Sequence, residues 1–234
     1  MARTARRPRA QRAPRGTAAA KRGPSTLQLG VVAGVAVLAI GALIVFGNAG
    51  QPVPPPSASA AGILVSGNAM GESTAPVTIE EWGDFQCPAC RAFAVTTEPQ
   101  LRTTYITTGK VRFVFHHLAF LGQESIWAAE AAECAGAEGR FFDFHDRLYA
   151  LQTGENVGTF TKANLQKIAQ GLGLSAGFAA CLTSDRYGQR VRDDTNAGHA
   201  RGVTVTPTFF VNGRKLEGVL SIDQLRAIID PLIK

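Results

Sequence analysis

Residues 82–90 read WGDFQCPAC, a stretch that places Cys87 and Cys90 with two residues between them. The segment Val77–Trp82 has the β-branched and aromatic content of a short strand. A proline directly after the first cysteine suits the first position of a helix. We therefore predict a helix over Pro88–Thr107, ended or kinked near the second proline of that range. The two cysteines are predicted to lie where a strand gives way to a helix.

This position suits a reactive thiol. The first turn of a helix has unpaired N–H groups and a partial positive charge, and both stabilise a sulfur anion. Cys87, at the cap position, is predicted to be an exposed nucleophile. Cys90, one turn into the helix, is predicted to be the shielded resolving thiol.

Other uses of this cysteine pair are less well supported. Structural zinc sites need a second close pair of ligands, whereas Cys134 and Cys181 follow at intervals of 44 and 47 residues with no such neighbour. A purely structural disulfide across four residues would constrain little chain entropy. No metal role is assigned to the four histidines, because the sequence does not show that they converge: His116, His117, His145 and His199.

The chain downstream alternates strand and helix signals. Val111–His116 predicts a second strand, and residues 123–201 are mostly helical in pattern. Strand signals return at Val203–Val211 and Lys215–Val219, which an Asn-Gly turn joins. Ser221 is predicted to cap a last amphipathic helix. The order predicts an α/β fold with a helical insertion.

WGDFQCPAC and the downstream run VTVTPTFFVNG together resemble the DsbA-like branch of the thioredoxin superfamily. The resemblance covers residues 63–234 and implies a thioredoxin-like domain whose helical insertion occupies about residues 120–201. It implies an enzyme, a thiol:disulfide oxidoreductase that works through a Cys87–Cys90 redox couple. It also implies that the Thr206–Pro207 peptide bond is cis and lies beside the active disulfide.

The same resemblance gives Glu81 the role of a buried acid that helps to move the proton of the second thiol. Side chains alternate along a strand, so Glu80 and Glu81 point to opposite faces and at most one of them faces the core. Asp84 is predicted to be a turn residue.

Cys134 and Cys181 fall within the predicted insertion. Unpaired cysteines are uncommon in an oxidising compartment, so a second, structural disulfide is predicted between them. In the chain-entropy model the closed loop of 47 residues is worth about 4 kcal/mol.

The net charge of +6 comes from the N-terminus. Residues 1–26 form a basic tail that has eight Lys or Arg and no acid in its first 24 positions, which leaves 16 basic against 18 acidic residues elsewhere. The folded region therefore carries no basic excess, and no nucleic-acid role is predicted.

An apolar, uncharged stretch follows at residues 27–46, and twenty residues at helical rise cover about 30 Å, the thickness of the bilayer core. We predict a single-pass transmembrane anchor in the cell membrane, with the basic tail cytoplasmic and the catalytic domain extracytoplasmic. A cleaved signal peptide is the alternative, since Gly47-Asn48-Ala49 resembles a small-residue cleavage site. Residues 47–62, rich in Pro, Ser and Ala, are predicted to be a linker.

These features predict an enzyme that introduces disulfides into unfolded or reduced exported proteins. A quinone-linked membrane oxidase would reoxidise it, and we expect a monomer that uses no cofactor and no metal. Ala89 stands where the best-known member of the resembled branch has histidine, so an oxidant of intermediate strength is expected. The alternatives are an isomerase or reductase of the same fold, a copper metallochaperone that adds His116 or His117, and a non-enzymatic binding module.

Overall fold

The computed structural model describes residues 63–233, which contain a six-stranded mixed sheet. The strand order is β1-β2-β4-β3-β5-β6, and within it β3 and β4 are parallel while the other neighbours are antiparallel. The strands are β1 Val65–Ser66, β2 Ala69–Met70, β3 Val77–Gly83, β4 Val111–His117, β5 Thr208–Val211 and β6 Arg214–Glu217.

Strand β3 lies between β4 and β5 and positions the rest. Val77 and Ile79 are fully buried in the main core, with the side chains of Thr78 and Glu80 on the opposite face. This alternation of buried and partly exposed side chains matches the predicted strand. The carboxyl end of β3, a central strand, leads directly into the cysteine segment.

The helices are α1 Pro88–Thr96, α2 Glu98–Leu101, α3 Gln123–Gly136, α4 Phe141–Leu151, α5 Lys162–Gly171, α6 Ala176–Thr183, α7 Gly188–Ala200 and α8 Ile222–Ile229. A π-helical turn spans Arg102–Ile106, and a 3-10 turn spans Asp230–Leu232. Helices α3 to α7 all lie between β4 and β5, so the predicted helical insertion in a thioredoxin-like fold is confirmed.

The helix predicted over Pro88–Thr107 is interrupted near Pro99, as the sequence predicts. Helix α1 ends at Thr96, and α2 and the π-helical turn continue in its place. Pro99 has no N–H to donate to the carbonyl one turn earlier, so the regular helical ladder cannot pass through it. The break places Glu98 and Arg102 against the core, where both are buried.

The strand predicted over Val203–Val211 is shorter, because β5 begins only at Thr208. Pro207 cannot donate to a central ladder, and Thr208 Oγ1 donates to the Val205 carbonyl instead. The strand predicted over Lys215–Val219 is also displaced, since β6 is Arg214–Glu217. Strand β5 ends and strand β6 begins at the Asn-Gly turn, which fixes their register.

That turn and the last cap are as predicted. Asn212 and Gly213 have φ of 45° and 86°, the left-handed region that such a turn requires. Ser221 forms a capping box with Gln224, each side chain bonding to the backbone N–H of the other.

The second face of the sheet carries a small cluster of Trp82, Leu118, Val203 and Phe210. Helix α7 covers it closely, because a Cβ on Gly198 would lie 2.6 Å from the Trp82 ring. Only a residue without a side chain permits this approach.

Within the insertion, a disulfide joins Cys134 of α3 to Cys181 of α6. Both residues are buried in the main core. Among residues 63–233, no helix has the length and apolarity needed to cross a membrane. The predicted tail, anchor and linker, residues 1–62, lie outside the described residues.

Removing the Cys134–Cys181 disulfide is expected to lower the free energy of unfolding by about 4 kcal/mol, because the closed loop spans 47 residues. The comparison is Cys134→Ala/Cys181→Ala against its parent in denaturant unfolding. Both proteins carry Cys87→Ala and Cys90→Ala, so that no other disulfide contributes. Equal unfolding free energies, or two alkylatable thiols in the unreduced parent, would contradict the prediction.

Candidate active site

The Cys-x-x-Cys segment lies at the junction of β3 and α1. Cys87 is the N-cap of α1, with φ −72° and ψ 120°, and Pro88 follows at the first helical position. Cys90 is completely buried, as predicted. Cys87 is only 8% exposed, so the prediction of an exposed nucleophile is wrong.

The environment of the Cys87 sulfur favours the thiolate. Its pKa is lowered to about 6, first because the Cys90 thiol donates a hydrogen bond to it. The Thr206 side chain and the backbone N–H groups of Cys90 and Ala89 lower the pKa further, against the opposing effect of burial. In its thiol form Cys87 faces the Thr206 carbonyl oxygen at 3.4 Å. These hydrogen bonds lower the pKa of Cys87 further than a helix dipole alone could, since the dipole is worth only about 0.3–1 kcal/mol.

Cys90 is the opposite case. Burial raises the pKa of its thiol well above the ordinary value, and the hydrogen bond to Cys87 and the charge of Glu81 raise it further. One cysteine is therefore prepared to be an anion and the other to hold its proton. This asymmetry is the chemical requirement for a nucleophile and a resolving thiol.

Thr206 and Pro207 lie directly opposite the cysteines. The Thr206–Pro207 peptide bond is cis, and the carbonyl that precedes Pro207 is the one that faces the Cys87 sulfur. Val205, one residue upstream, is 44% exposed. The structure therefore brings this loop and the cysteines together, as the family resemblance implied.

Glu81 is completely buried on the core side of β3. Its pKa is raised well above the ordinary value, chiefly by burial and then by the negative charges of Glu98 and Cys87. Neither carboxyl oxygen has a hydrogen-bond partner among the described residues. Glu80, on the other face, pairs with Arg201 at 3.0 Å, so only one of the two acids faces the core.

Asp84 has a larger role than that of the turn residue that the sequence predicts. It is 1% exposed and accepts four hydrogen bonds, which tie the cysteine loop to the segment after β4 and to α3. The donors are Gln86 N at 2.8 Å, Ser125 Oγ at 2.7 Å, Phe120 N at 3.0 Å and Leu121 N at 3.2 Å. Burial raises its pKa, and these bonds oppose the shift.

The insertion also holds the cysteine loop by two glutamines. Gln152, which follows α4, donates to the carbonyl oxygens of Phe85 at 2.7 Å and of Cys87 at 3.1 Å. Gln86 donates to Ser125 Oγ at 2.8 Å and accepts from the Asn156 N–H at 2.6 Å. Sequence reasoning missed these contacts, because a lone glutamine carries no motif that names its partner.

The histidines are spread over the structure. His117 Nε2 lies 3.1 Å from Glu133, which also pairs with Arg190. His116 stacks on Trp82. His199 Nδ1 lies 3.1 Å from the Val203 carbonyl oxygen, and His145 is completely buried.

Among residues 63–233, one group of three side chains is close enough to hold a metal ion: Glu98, His145 and Asp146. It includes neither active-site cysteine. Arg102 donates to both carboxylates of the group, with its Nη1 at 2.8 Å from Asp146 Oδ2. The guanidinium already supplies the positive charge there, so this group does not favour a metal cation.

The thioredoxin family model matches residues 65–231. The chain belongs to the thioredoxin family. Over 175 residues it is 32% identical to the probable disulfide bond formation protein D of Bacillus anthracis, a match that covers 70% of this chain and 77% of that protein. The structure of oxidised BdbD from Bacillus subtilis superposes with a TM-score of 0.67 and 26% identity, covering 72% of this chain and 93% of that one. These likenesses place this thioredoxin-family chain in the DsbA-like branch.

A longer relative shares the same region. The chain is 36% identical over 162 residues to the Na(+)/H(+) antiporter NhaA 1 of Salinispora arenicola. The match covers 68% of this chain but 24% of that protein, so this thioredoxin-family chain spans about a quarter of the antiporter's length.

The reduced protein is expected to titrate one thiolate near pH 6, well below the ordinary 9.0 of a cysteine. The folded state then holds fewer protons than the unfolded state between these values. The thiolate's contribution to stability is therefore absent below pH 6, grows as pH rises and is complete near 9. Ultraviolet thiolate absorbance gives the midpoint, and denaturant unfolding of reduced wild type against reduced Cys87→Ser gives the stability difference.

The matched variants Cys90→Ser and Cys90→Ala test whether the hydrogen bond from Cys90 is what lowers the pKa of Cys87. Serine keeps a donor to the Cys87 sulfur and should hold the midpoint near the wild-type value. Alanine removes the donor and should raise it. An equal midpoint in the two variants would show that the Cys90 hydrogen bond is not what lowers the pKa of Cys87.

Proposed function

We propose that this chain is a thiol:disulfide oxidoreductase that introduces disulfides into exported proteins. The observation that carries the proposal is the opposed protonation of the two cysteines. Cys87 has its pKa lowered to about 6 at a helix N-terminus, while the pKa of buried Cys90 is raised. The name of the Bacillus anthracis relative, a probable disulfide bond formation protein, supports the same activity.

Client oxidation follows as two exchanges. A client thiol loses its proton to solvent and, as a thiolate, attacks the Cys87 sulfur of the oxidised enzyme. The Cys87–Cys90 bond breaks, and Cys90 leaves as a thiolate that takes one proton from Glu81. A second client thiolate attacks the client sulfur of the mixed disulfide, so that Cys87 leaves as a thiolate. The client loses two electrons and two protons, and the enzyme disulfide gains the electrons.

The proton steps give Glu81 its proposed role. Burial raises its pKa well above the ordinary value, so the acid keeps its proton to higher pH than an exposed glutamate and can give that proton to the leaving Cys90. Its charge also influences the pKa of Cys90, so the two groups lie within electrostatic reach of each other. The Thr206–Pro207 loop would hold the client backbone against Cys87.

The direction of exchange depends on how strongly the thiolate is stabilised. A leaving thiolate of low pKa makes the disulfide a better oxidant, and the pKa is about 7 in thioredoxin and about 3.5 in DsbA. The value of about 6 for Cys87 lies between these two. Ala89 supplies no imidazole that would lower it further. We therefore propose an oxidant of intermediate strength.

A copper metallochaperone is a weaker candidate. It needs a third ligand beside Cys87 and Cys90, and the cluster that could bind a metal among residues 63–233 does not include them. His117 pairs with Glu133, and His116 stacks on Trp82. An isomerase or reductase of the same fold differs only in direction, which the reduction potential decides.

The reduction potential of the full chain, equilibrated against glutathione, tests the direction. We expect a value above about −200 mV, together with oxidation of a reduced, unfolded client that is lost in Cys87→Ser. A value near or below about −270 mV would make the chain a reductase. A chain without a reversible Cys87–Cys90 couple would not be an oxidoreductase of this kind.

The location belongs to the same proposal. Residues 27–46 would anchor the chain in the cell membrane with the active site outside the cytoplasm, near a quinone-linked oxidase that removes the electrons. The chain would act as a monomer on reduced exported proteins. In intact cells treated briefly with reductant, a membrane-impermeant maleimide is expected to label wild type but not Cys87→Ser. Labelling that appears only after permeabilisation would place the active site in the cytoplasm.

A further inference from the structure

Below the active site lies a group of buried polar atoms that the exchange steps leave unexplained. Glu81, Glu98 and His145 are each completely buried. The two carboxyl oxygens of Glu81, Oε2 of Glu98 and Nε2 of His145 have no hydrogen-bond partner among the described residues. Buried polar groups are nearly always bonded, so four such atoms in one region call for a reason.

These atoms are near one another and near the cysteines. Glu98 Oε2 lies 3.8 Å from His145 Nε2, so a small rotation of either side chain makes a hydrogen bond. Glu81 lies opposite Phe115 in the β3–β4 ladder, and the Phe115 ring lies 5.0 Å from that of His145. Glu81 also interacts electrostatically with Glu98 on one side and Cys90 on the other. The groups therefore lie in one region that extends from the resolving thiol.

The series reaches the surface through Asp146. His145 Nδ1 lies 2.9 Å from Asp146 Oδ1, and Asp146 is 21% exposed. Asp146 also lines an open cavity of about 170 Å³, together with Ala94, Val95, Pro99, Arg102 and Tyr149. The imidazole thus has one nitrogen toward the buried acids and the other toward a carboxylate at the solvent boundary.

We propose that His145, with Glu98 and Asp146, relays protons between Glu81 and solvent during each catalytic cycle. The proposal rests on the proposed function, since it supplies the proton that the Cys87–Cys90 exchange needs. When Glu81 has protonated Cys90, its buried carboxylate regains a proton that enters at Asp146. When the enzyme is reoxidised, Glu81 first releases its proton to solvent by the same residues, and its carboxylate then takes the proton of Cys90. No electrons move along this route.

The chemistry of each group suits its place. Imidazole accepts a proton on one nitrogen and releases it from the other, and its ordinary pKa lies near neutral pH. Glu81 cannot exchange protons with water directly, because it is completely buried. The titratable and charged groups around the route come from four segments: Glu81 of β3, His117 of β4, Glu98 and Arg102 after α1, and Asp146 and Tyr149 of α4.

A purely structural ion network is the competing explanation. Arg102 does neutralise part of the cluster, because it bonds to Glu98 Oε1 and to both oxygens of Asp146. Buried atoms left unsatisfied are destabilising, which argues against a network built only for stability. Glu98 Oε2 and His145 Nε2 face each other and both lack a hydrogen-bond partner among the described residues, as does Nδ1 of His117 outside the route.

The experiment isolates the step in which Cys90 must lose its proton. The reduced full chain is mixed with excess glutathione disulfide, so that Cys87 forms a glutathione adduct that Cys90 resolves within the chain while the reverse attack by released glutathione stays slow. Acid quenching and mass measurement then give the adduct's lifetime across pH. Cys90→Ser, which cannot resolve the adduct, fixes the upper limit.

We expect His145→Gln to lengthen the adduct's lifetime by about tenfold or more at neutral pH, since proton transfer by a positioned group typically contributes 10²–10⁴-fold. The slowing should shrink as pH rises, because hydroxide can then take the proton. The reduction potential should be unchanged, since a relay alters rates and not end states. His117→Gln, a second completely enclosed histidine that is off the route, is the matched control.

An unchanged lifetime in folded His145→Gln would overturn the relay, and so would an equal, pH-independent slowing in His117→Gln. Should His145→Gln fail to fold, Asp146→Asn interrupts the solvent end and is expected to show the same pH-dependent slowing. Failure of the proposed function is distinguishable, because wild type itself would then form no adduct that Cys90 resolves.

Discussion

The structure depends on the hydrogen bonds that reach the Cys87 sulfur. A helix dipole contributes only about 0.3–1 kcal/mol, which lowers a thiol pKa by less than one unit. The larger shift requires donors fixed within reach of sulfur, namely the Cys90 thiol, the Thr206 side chain and two N–H groups of the first helical turn. These donors come from α1 and from the loop before β5, so the sheet that holds the two together is part of the site.

The same arrangement requires an acid in an unfavourable place. Glu81 is buried because it shares a face of β3 with Val77 and Ile79, and a central strand leaves that face no access to water. Burial raises the pKa of its carboxyl, which favours the neutral form because that form costs less to desolvate. In its neutral form the acid has a proton for Cys90. The residue is unfavourable for packing and useful for proton transfer for the same physical reason.

Local sequence signals predicted much of the fold and the position of the two cysteines. The Cys-x-x-Cys pair with a proline at the first helical position, the alternation along β3, the Asn212–Gly213 turn and the Ser221 cap all depend on neighbours in sequence. The long-range contacts were not predictable: Asp84 bonds to residues 36 to 41 positions away, and Gln152 to Cys87 across 65. A buried hydrogen bond depends on where the fold brings two segments, and neither segment encodes its partner.

The helical insertion is therefore more than an addition to the sheet. It supplies Ser125 of α3 and Gln152 after α4, which fix the cysteine loop through Asp84, Gln86 and the Cys87 carbonyl. It also supplies His145 and Tyr149, whose rings pack on Phe85 immediately before the cysteines. Strand β3 and helix α1 provide the two sulfurs, but the insertion determines the backbone position from which they act. A disulfide that fastens α3 to α6 thus stabilises the support of the active site, although it lies outside it.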